Sequence, residues 1–292
     1  MAENVVKVQK KKKSGPWREV WRRLKRNKAA MFGLLVLTVL ILAAVFAKYV
    51  APFHYDDQDL LRRFQTPNSV HWLGTDNFGR DIFSRIVYGA QVSLRVGIVA
   101  VGIAMIIGGA LGAIAGYYGG KLDNVIMRII DVLLAIPSIL LAISIVAALG
   151  TELRNVMIAV GISSIPSYAR IVRASVLSLR DQEFIEAARA VGANDTRLIV
   201  KHIVPNSMAP IIVQGTIGVA GAILSAAGLG FIGLGIQPPL AEWGAMLNDG
   251  RQYIRDYPHL TMFPGLAIMV TIFALNLLGD GLRDALDPRL KS

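Results

Sequence analysis

The residues of this chain that could carry out chemistry are few and scattered. The sequence contains no Cys, which excludes a disulfide framework, a thiolate metal site and a cysteine nucleophile. The four His residues, at positions 54, 71, 202 and 259, lack the spacing of metal ligands. Three serines cluster at positions 163, 164 and 167, without a His or Lys near them in sequence. We therefore expect neither a resident metal ion nor a nucleophilic catalytic set.

A phosphate-binding loop is also missing from the sequence. Such a loop needs the pattern G-x-x-x-x-G-K-[ST], whose backbone N–H groups cradle phosphates. The nearest match ends at Gly120-Lys121, but Ala115 occupies the first glycine position and Leu122 the hydroxyl position. We therefore expect no cofactor in this chain and no hydrolysis of ATP by it.

Composition indicates that these residues belong to a membrane protein. Of the 292 residues, 54% are hydrophobic and 17% are charged, whereas soluble domains have about 25% charged residues. A spanning helix needs about 20 mostly apolar residues. Six segments approach or meet this requirement and predict an all-α membrane protein with six transmembrane helices: Ala29–Val50, Val92–Tyr117, Val125–Leu149, Val156–Val172, Ala209–Gly235 and Leu260–Gly279.

Small residues and prolines within the spans predict how the helices pack and bend. Gly108, Gly112 and Gly116 recur every four residues, a pattern that permits close helix packing in lipid. Pro137 and Pro166 are expected to interrupt the third and fourth spans, which is tolerated where a broken helix is buried or lines a cavity.

Two charged residues, Arg128 and Asp131, lie three positions apart near the start of the third span. Ionisable residues inside a membrane are costly and are often functional. We predict that Arg128 and Asp131 form a structural ion pair with each other. The alternative is a link to the loop that follows the fourth span.

The basic residues predict the orientation of the spans. The formal net charge is +11, and cytoplasmic loops of membrane proteins are enriched in Lys and Arg. With the N-terminus inside, 22 of the 31 Lys and Arg residues fall on the cytoplasmic side, so the charge argues for topology and against a nucleic-acid partner. The predicted organisation is a basic cytoplasmic segment at 1–28, a first transmembrane helix at 29–50, an external loop at 51–91, a transmembrane domain at 92–280 and a cytoplasmic tail at 281–292.

The end of the basic segment predicts a helix that lies in the membrane surface. Trp17, Val20, Trp21 and Leu24 recur at helical spacing with Arg and Lys between them. The apolar segment that follows exceeds the roughly 7–15 residues of a signal-peptide core, so we expect a retained anchor.

The loop between the fourth and fifth spans, residues 173–208, is the most informative part of the chain. Ser178 and Asp181 resemble a capping box and predict a helix over 179–191. Gly192 is suited to end that helix in the left-handed conformation. Asn194 can cap a second short helix, which we expect to end at Pro205. Such an element either docks on another protein or rests on the membrane as an ordinary amphipathic loop.

Part of this loop resembles a known sequence motif. Glu186-Ala187-Ala188, followed by Gly192 and by Ile203-Val204-Pro205, is similar to the EAA motif of permease subunits in binding-protein-dependent ABC importers. Val204 replaces the usual Leu, and Ile203 lies one place later than the usual Ile. The resemblance implies the type I ABC importer transmembrane fold, in which this loop carries a cytoplasmic coupling helix that inserts into a cleft of an ATPase subunit.

The resemblance covers nearly the whole chain. Segments 73–91, 231–244 and 278–289 are similar to dipeptide, oligopeptide and nickel permeases, and together they match the second, "C"-type permease of peptide importers. This implies a prokaryotic inner-membrane subunit that imports peptides together with a paralogous permease, two ATPase subunits that bind ATP and Mg, and an external substrate-binding protein. Import of nickel complexes or glutathione is the alternative that the same resemblance allows.

Two functions of other classes fit the sequence less well. A secondary transporter working alone would need inverted repeats or coupling-ion residues, and neither is evident. An intramembrane enzyme would need polar catalytic pairs inside the spans, and the serine cluster lacks a partner.

The orientation can be tested directly because the chain has no Cys. A single Cys introduced at Ser69 will react with an impermeant thiol reagent in intact cells, because the loop is predicted to be external. A Cys at Asn194 will react only after the membrane is opened. Labelling of position 194 from outside would contradict the predicted topology.

Overall fold

The computed structural model describes residues 16–286, which are almost entirely helical. Residues 1–15 of the predicted basic segment and residues 287–292 of the predicted tail lie outside this range. The helices in chain order are α1 (Pro16–Leu24), α2 (Lys28–Val45), α3 (Ala47–Val50), α4 (Ile82–Tyr118), α5 (Gly120–Ala135), α6 (Ser138–Leu149), α7 (Leu153–Arg180), α8 (Glu183–Ala190), α9 (Asp195–Arg197), α10 (Val204–Asn206), α11 (Met208–Phe231), α12 (Trp243–Gly250) and α13 (His259–Leu286).

The helices account for the six predicted spans. Five described helices are long and apolar enough to cross a membrane, namely α2, α4, α7, α11 and α13. The sixth span is the pair α5 and α6, which meet at a bend of 88°. The prediction of an all-α protein with six transmembrane helices is therefore confirmed, provided that the bent pair counts as one span.

The second span begins earlier than the sequence predicted. Helix α4 starts at Ile82 rather than Val92, and Asp81 caps it by accepting a hydrogen bond from the backbone N–H of Ser84. The predicted loop at 51–91 therefore contains the first ten residues of this helix. Arg85, in the first turn of this helix, is only 2% exposed, because it donates to the backbone carbonyl of Tyr55 and lies 3.6 Å from the carboxylate of Asp76.

The two prolines have different effects. The chain bends between α5 and α6 at Pro137, as predicted. By contrast, α7 continues through Pro166, so the prediction that this proline interrupts the fourth span was wrong. Pro166 is buried within the bundle, where packing holds its helix together.

The most extensive helix contact joins α4 to α7, and glycines make it possible. A Cβ atom at Gly108 would lie 2.6 Å from the carbonyl oxygen of Ile165, and one at Gly116 would lie 2.9 Å from that of Arg173. A Cβ at Gly112 would collide with the carbonyl of Ala169. The glycine pattern is therefore a packing surface, because the backbones approach closer than any larger residue allows.

The predicted surface helix is present as α1, but its apolar residues divide between two environments. Val20 and Leu24 pack with Ala285 at the end of α13. Trp17 and Trp21 face outward and are 66% and 44% exposed. The helix is thus attached to the bundle along one side, while its two indole rings remain available to the membrane surface.

Replacing Gly112 with Leu will destabilise the protein by roughly 1–3 kcal/mol, because the added side chain forces α4 and α7 apart. Gly102→Leu is the matched control, since nothing lies within 4 Å of a Cβ at that glycine of the same helix. The measurement is the thermal unfolding midpoint in detergent. Equal shifts in the two variants would contradict the packing assignment.

Candidate coupling loop and external segments

The first half of the predicted coupling loop is a helix separate from the span before it. Helix α7 ends at Arg180, and α8 begins at Glu183, so the predicted continuous helix over 179–191 is broken. The capping-box prediction was also wrong. The hydroxyl of Ser178 donates to the carbonyl of Ser175 and remains part of α7. Because of this break, the axis of α8 is not a continuation of the axis of α7.

Gly192 ends α8 as the sequence predicted. Its φ of +87° lies in the left-handed region. The N–H of Gly192 donates to the carbonyl of Arg189 at 3.0 Å, and the N–H of Ala193 donates to that of Ala188 at 3.1 Å. This pair of bonds is a Schellman motif, which satisfies the last carbonyls of the helix. Glycine is needed here for its backbone conformation alone, since a Cβ at this position would have no atom within 4 Å.

The second half of the loop is also helical. Asn194 caps α9 by accepting a hydrogen bond from the backbone N–H of Arg197 at 2.9 Å, as predicted. The chain then passes through the π-helical segment Leu198–Ile203 into α10. Pro205 lies at the start of α10 rather than at the end of a helix, so the loop reaches α11 almost without leaving helical geometry.

Three buried isoleucine and leucine side chains hold the loop against the bundle. Ile185, Leu198 and Ile203 are each 0% exposed, and they pack with Val172 and Val176 of α7. Of these three anchors, the sequence motif includes only Ile203. On α8 the buried apolar residue is Ile185, whereas its neighbour Phe184 is 40% exposed.

Polar contacts tie the same loop to α4 and α5. The hydroxyl of Tyr117, near the end of α4, donates to Asp195 at 2.6 Å. Arg180 donates to the backbone carbonyl of Gly116 at 3.1 Å. Arg173 makes two bonds of 2.6 Å with the carboxylate of Asp123 on α5. The bidentate geometry gives this pair directional strength as well as charge.

The outer face of α8 carries the residues of the EAA motif. Glu186, Ala187 and Gly192 are exposed, whereas Ala188 is half-buried against the loop's own core. Val191 is 87% exposed, although it is apolar. Small and apolar side chains thus face away from the bundle on a rigidly held helix, as a docking surface for another protein requires. Their part in docking stays a prediction.

The predicted pairing of Arg128 with Asp131 was wrong. Asp131 instead pairs with Arg170 of α7, whose guanidinium nitrogen lies 2.6 Å from Oδ1 of the carboxylate. No ion pair of Arg128 occurs within residues 16–286. Helix α7 packs beside α5, so a residue on the neighbouring helix is closer to Asp131 than the residue one turn away on its own helix.

Two of the segments that resembled permeases, 73–91 and 231–244, pack against each other. Arg80 and Arg85 are each 2% exposed. The Nε atom of Arg80 lies 2.6 Å from Asp76, and its terminal nitrogen lies 3.4 Å from Asp249 of α12. The indole N–H of Trp243 donates to the carbonyl of Ile86 at 3.1 Å. The segment before α4 and helix α12 therefore form one unit at this end of the bundle.

A buried carboxyl group, that of Glu242, organises the start of α12. It accepts hydrogen bonds from the N–H groups of Gly244 and Ala245, both at 2.9 Å. Ser93 of α4 donates to it at 3.2 Å. Burial raises the pKa of Glu242, although the backbone bonds to Gly244 and Ala245 and the Ser93 bond lower it in part. The residue thus fixes α12 to α4 through a helix cap.

The bundle and its attached loop define a multi-pass membrane transport component. Residues 108–292 match the family of binding-protein-dependent transport system inner membrane components, and residues 15–67 match the N-terminal transmembrane domain of oligopeptide transport permease C. The chain therefore belongs to the family of binding-protein-dependent transport system inner membrane components. It is a membrane permease subunit, and this family works with ATPase and substrate-binding partners.

Individual relatives support this assignment along most of the chain. A dipeptide transport system permease protein of Alkalihalophilus pseudofirmus is 54% identical over 277 residues, which cover 95% of this chain and 91% of the relative. A glutathione transport system permease protein of Pectobacterium atrosepticum is 50% identical, with 95% and 92% covered. A glutathione transport system permease protein of Escherichia coli is 51% identical, with 94% and 91% covered.

Solved structures show the same fold at lower identity. The inward-facing MetNI methionine ABC transporter contains a chain that matches with a TM-score of 0.58 and 19% identity, covering 70% of this chain and 96% of that one. An amino acid ABC transporter determined with histidines matches with a TM-score of 0.53 and 16% identity, with 69% and 94% covered. The expected type I importer fold is thereby confirmed.

Replacing Glu242 with Ala will destabilise the protein by about 1–2 kcal/mol, because α12 loses its cap. Glu242→Gln will lower the free energy of unfolding by less than Glu242→Ala, and this loss relative to the parent protein will shrink as pH rises. Because the pKa of Glu242 is higher in the folded state than in the unfolded state, its carboxyl group stabilises the folded state most at pH values near and below the unfolded pKa of about 4.3. This contribution to the free energy of unfolding is lost as pH rises through the pKa of the folded state.

The measurement is the unfolding midpoint of each variant between about pH 5 and pH 8, a range that lies above the unfolded pKa of Glu. Glu152 is the matched control, because it precedes α7 at the same cap position but its exposed side chain makes no cap hydrogen bond. The Ala and Gln variants of Glu152 are expected to have the same unfolding midpoint as the parent protein at each pH. A pH-independent difference at Glu242 would contradict the assignment.

Proposed function

We propose that this chain is one transmembrane subunit of an ATP-driven peptide importer, and that residues 173–208 couple it to an ATPase. The observation that carries the coupling role is the exposed face of α8, which presents Glu186 and Ala187 on a helix anchored by buried Ile185. The 54% identity to a dipeptide permease supports the peptide substrate.

The proposed assembly contains more than this chain. A paralogous permease supplies the other half of the pathway, so that the two permeases form a heterodimer. Two ATPase subunits bind ATP and Mg, and an external binding protein delivers the solute. The assembly lies in a prokaryotic inner membrane with both termini of this chain in the cytoplasm, which agrees with the distribution of 22 of its 31 basic residues.

Glutathione import is the second candidate. Relatives that carry this description are 50% and 51% identical, close to the value for the dipeptide permease. Glutathione is itself a modified tripeptide, so the two candidates differ little in chemistry. Nickel-complex import depends on the sequence resemblance alone.

The coupling role predicts that Ala187→Trp will abolish transport-coupled ATP hydrolysis while membrane insertion is retained. The bulky side chain will occupy space that the ATPase must approach closely. Ala187 is a sharper probe than Ala188, because a Trp at the half-buried Ala188 would also disturb the loop's own core. ATPase activity is measured in proteoliposomes with the binding protein and solute present.

Two comparisons separate docking from folding. Ser69→Trp places the same side chain at an exposed residue of the predicted external loop and is expected to keep coupled activity. At Gly192, Pro will uncouple the complex because it cannot adopt a φ of +87°, whereas Asn tolerates that region and will retain most activity. Wild-type coupling in Ala187→Trp and Gly192→Pro would refute the docking role.

The substrate assignment is tested by uptake of labelled dipeptides, glutathione and nickel in cells with and without the gene. Loss of dipeptide uptake alone supports the proposal. If glutathione or nickel uptake collapses while dipeptide uptake is unchanged, the peptide assignment is wrong and the importer assignment stands.

A further inference from the structure

Helix α5 has three distinct faces. Its buried face carries Asp123 and Ile130. An exposed apolar face carries Val125, Ile129 and Val132, each 59% exposed. A second exposed face is polar and carries Asn124, Arg128 and Asp131. With about 100° of rotation per residue, the two exposed faces point in directions roughly 100° apart.

Helix α7 continues the polar face of α5. Ser167, Arg170, Ala174 and Ser178 are exposed and recur at intervals of three or four residues, which places them on one side of the helix. The 2.6 Å bond between Asp131 and Arg170 brings the two faces together. We call the set Asn124, Arg128, Asp131, Ser167, Arg170 and Ser178 the polar stripe.

The polar stripe runs from the first turns of α5 and the last turns of α7 to Asp131 and Arg170, and Asp131 lies four residues before the other end of α5 at Ala135. Arg170 lies ten residues before the end of α7, which is about 15 Å along the axis. Asp131 lies eleven residues after the start of α5, or about 17 Å. Yet the side chains of these two residues are 56% and 54% exposed. The hydrocarbon core of a bilayer is about 30 Å thick, so charges at this distance from a helix end need water or protein around them.

The apolar face of α5 points instead to lipid or to an apolar partner surface. Its exposed residues resemble those of α2, where Phe32, Leu35 and Val39 are 55–61% exposed. One helix therefore separates two environments. This division is what a helix at the edge of a water-filled passage requires, because one side meets water and another meets apolar surroundings.

We propose that the polar stripe lines the water-filled solute pathway of this subunit. The proposal rests on the proposed importer function and adds which surface of the chain the solute passes. Arg128, Asp131 and Arg170 present both signs of charge to this passage, and the Asp131–Arg170 bond holds the inner parts of α5 and α7 together at its wall.

Thiol accessibility tests the proposal, because the chain contains no Cys of its own. Arg128→Cys and Ile129→Cys form a matched pair at nearly the same depth on different faces of α5, and Ser167→Cys samples α7. Each variant is assembled into the complete transporter in inside-out membrane vesicles and treated with a charged methanethiosulfonate reagent. Thiolates form readily in water and poorly in apolar surroundings, so Arg128→Cys and Ser167→Cys should react at least about tenfold faster than Ile129→Cys.

A second readout tests transport itself. Uptake by each modified complex is divided by uptake of the same variant before modification, which removes any effect of the substitution alone. Modification is expected to block uptake in Arg128→Cys and Ser167→Cys and to leave it nearly unchanged in Ile129→Cys. Solute that slows labelling at Ser167→Cys would further support a shared passage.

Three results would overturn the proposal. Equal labelling rates at Arg128→Cys and Ile129→Cys would show that the two faces share one environment. Crosslinking of Ser167→Cys to the second permease in every state, without labelling, would make the stripe a subunit interface. Rapid labelling without any effect on uptake would place the stripe in water outside the pathway. Labelling does not depend on which solute is carried, so these failures are distinguishable from a wrong substrate assignment.

Discussion

The close approach of α4 and α7 is the contact on which the other parts of the molecule depend. Glycines 108, 112 and 116 bring the two backbones together, and the end of each helix then meets the coupling loop. Tyr117 can reach Asp195, and Arg180 can reach the carbonyl of Gly116, only while this packing is kept. In lipid, where apolar side chains gain little from leaving their solvent, such close contact is a main source of helix association.

Features that depend on local sequence were predicted well. Apolar stretches gave the number of spans, Gly192 marked a helix end, and Asn194 marked a helix start. Each of these signals acts through a few neighbouring residues, by hydropathy or by backbone conformation. The EAA motif and the segments 73–91, 231–244 and 278–289 indicated the family, and the relatives and solved structures agree with that result.

Features that depend on contacts across the fold were not accessible from sequence. The second span was predicted to begin at Val92, whereas α4 begins at Ile82 and buries Arg85 against Asp76 and the carbonyl of Tyr55. Asp131 had a plausible partner one turn away, but its partner Arg170 lies on another helix. Ile185 carried no motif signal, although it anchors α8. In each case the residue's environment is set by contact with a segment that is distant in sequence. Composition and periodicity describe only neighbouring residues and do not predict such contacts.

The continuous length of α4 has a mechanical consequence. At 37 residues it extends about 55 Å, nearly twice the thickness of a hydrocarbon core. Its first turns hold Trp243 and its last turn holds Asp195. If such a rod tilts by about 5° around its centre, its two ends move by about 2 Å in opposite directions. The unit formed by α12 and the segment before α4 therefore contacts the same helix as the coupling loop at the opposite end, so a tilt of α4 displaces both contacts at once.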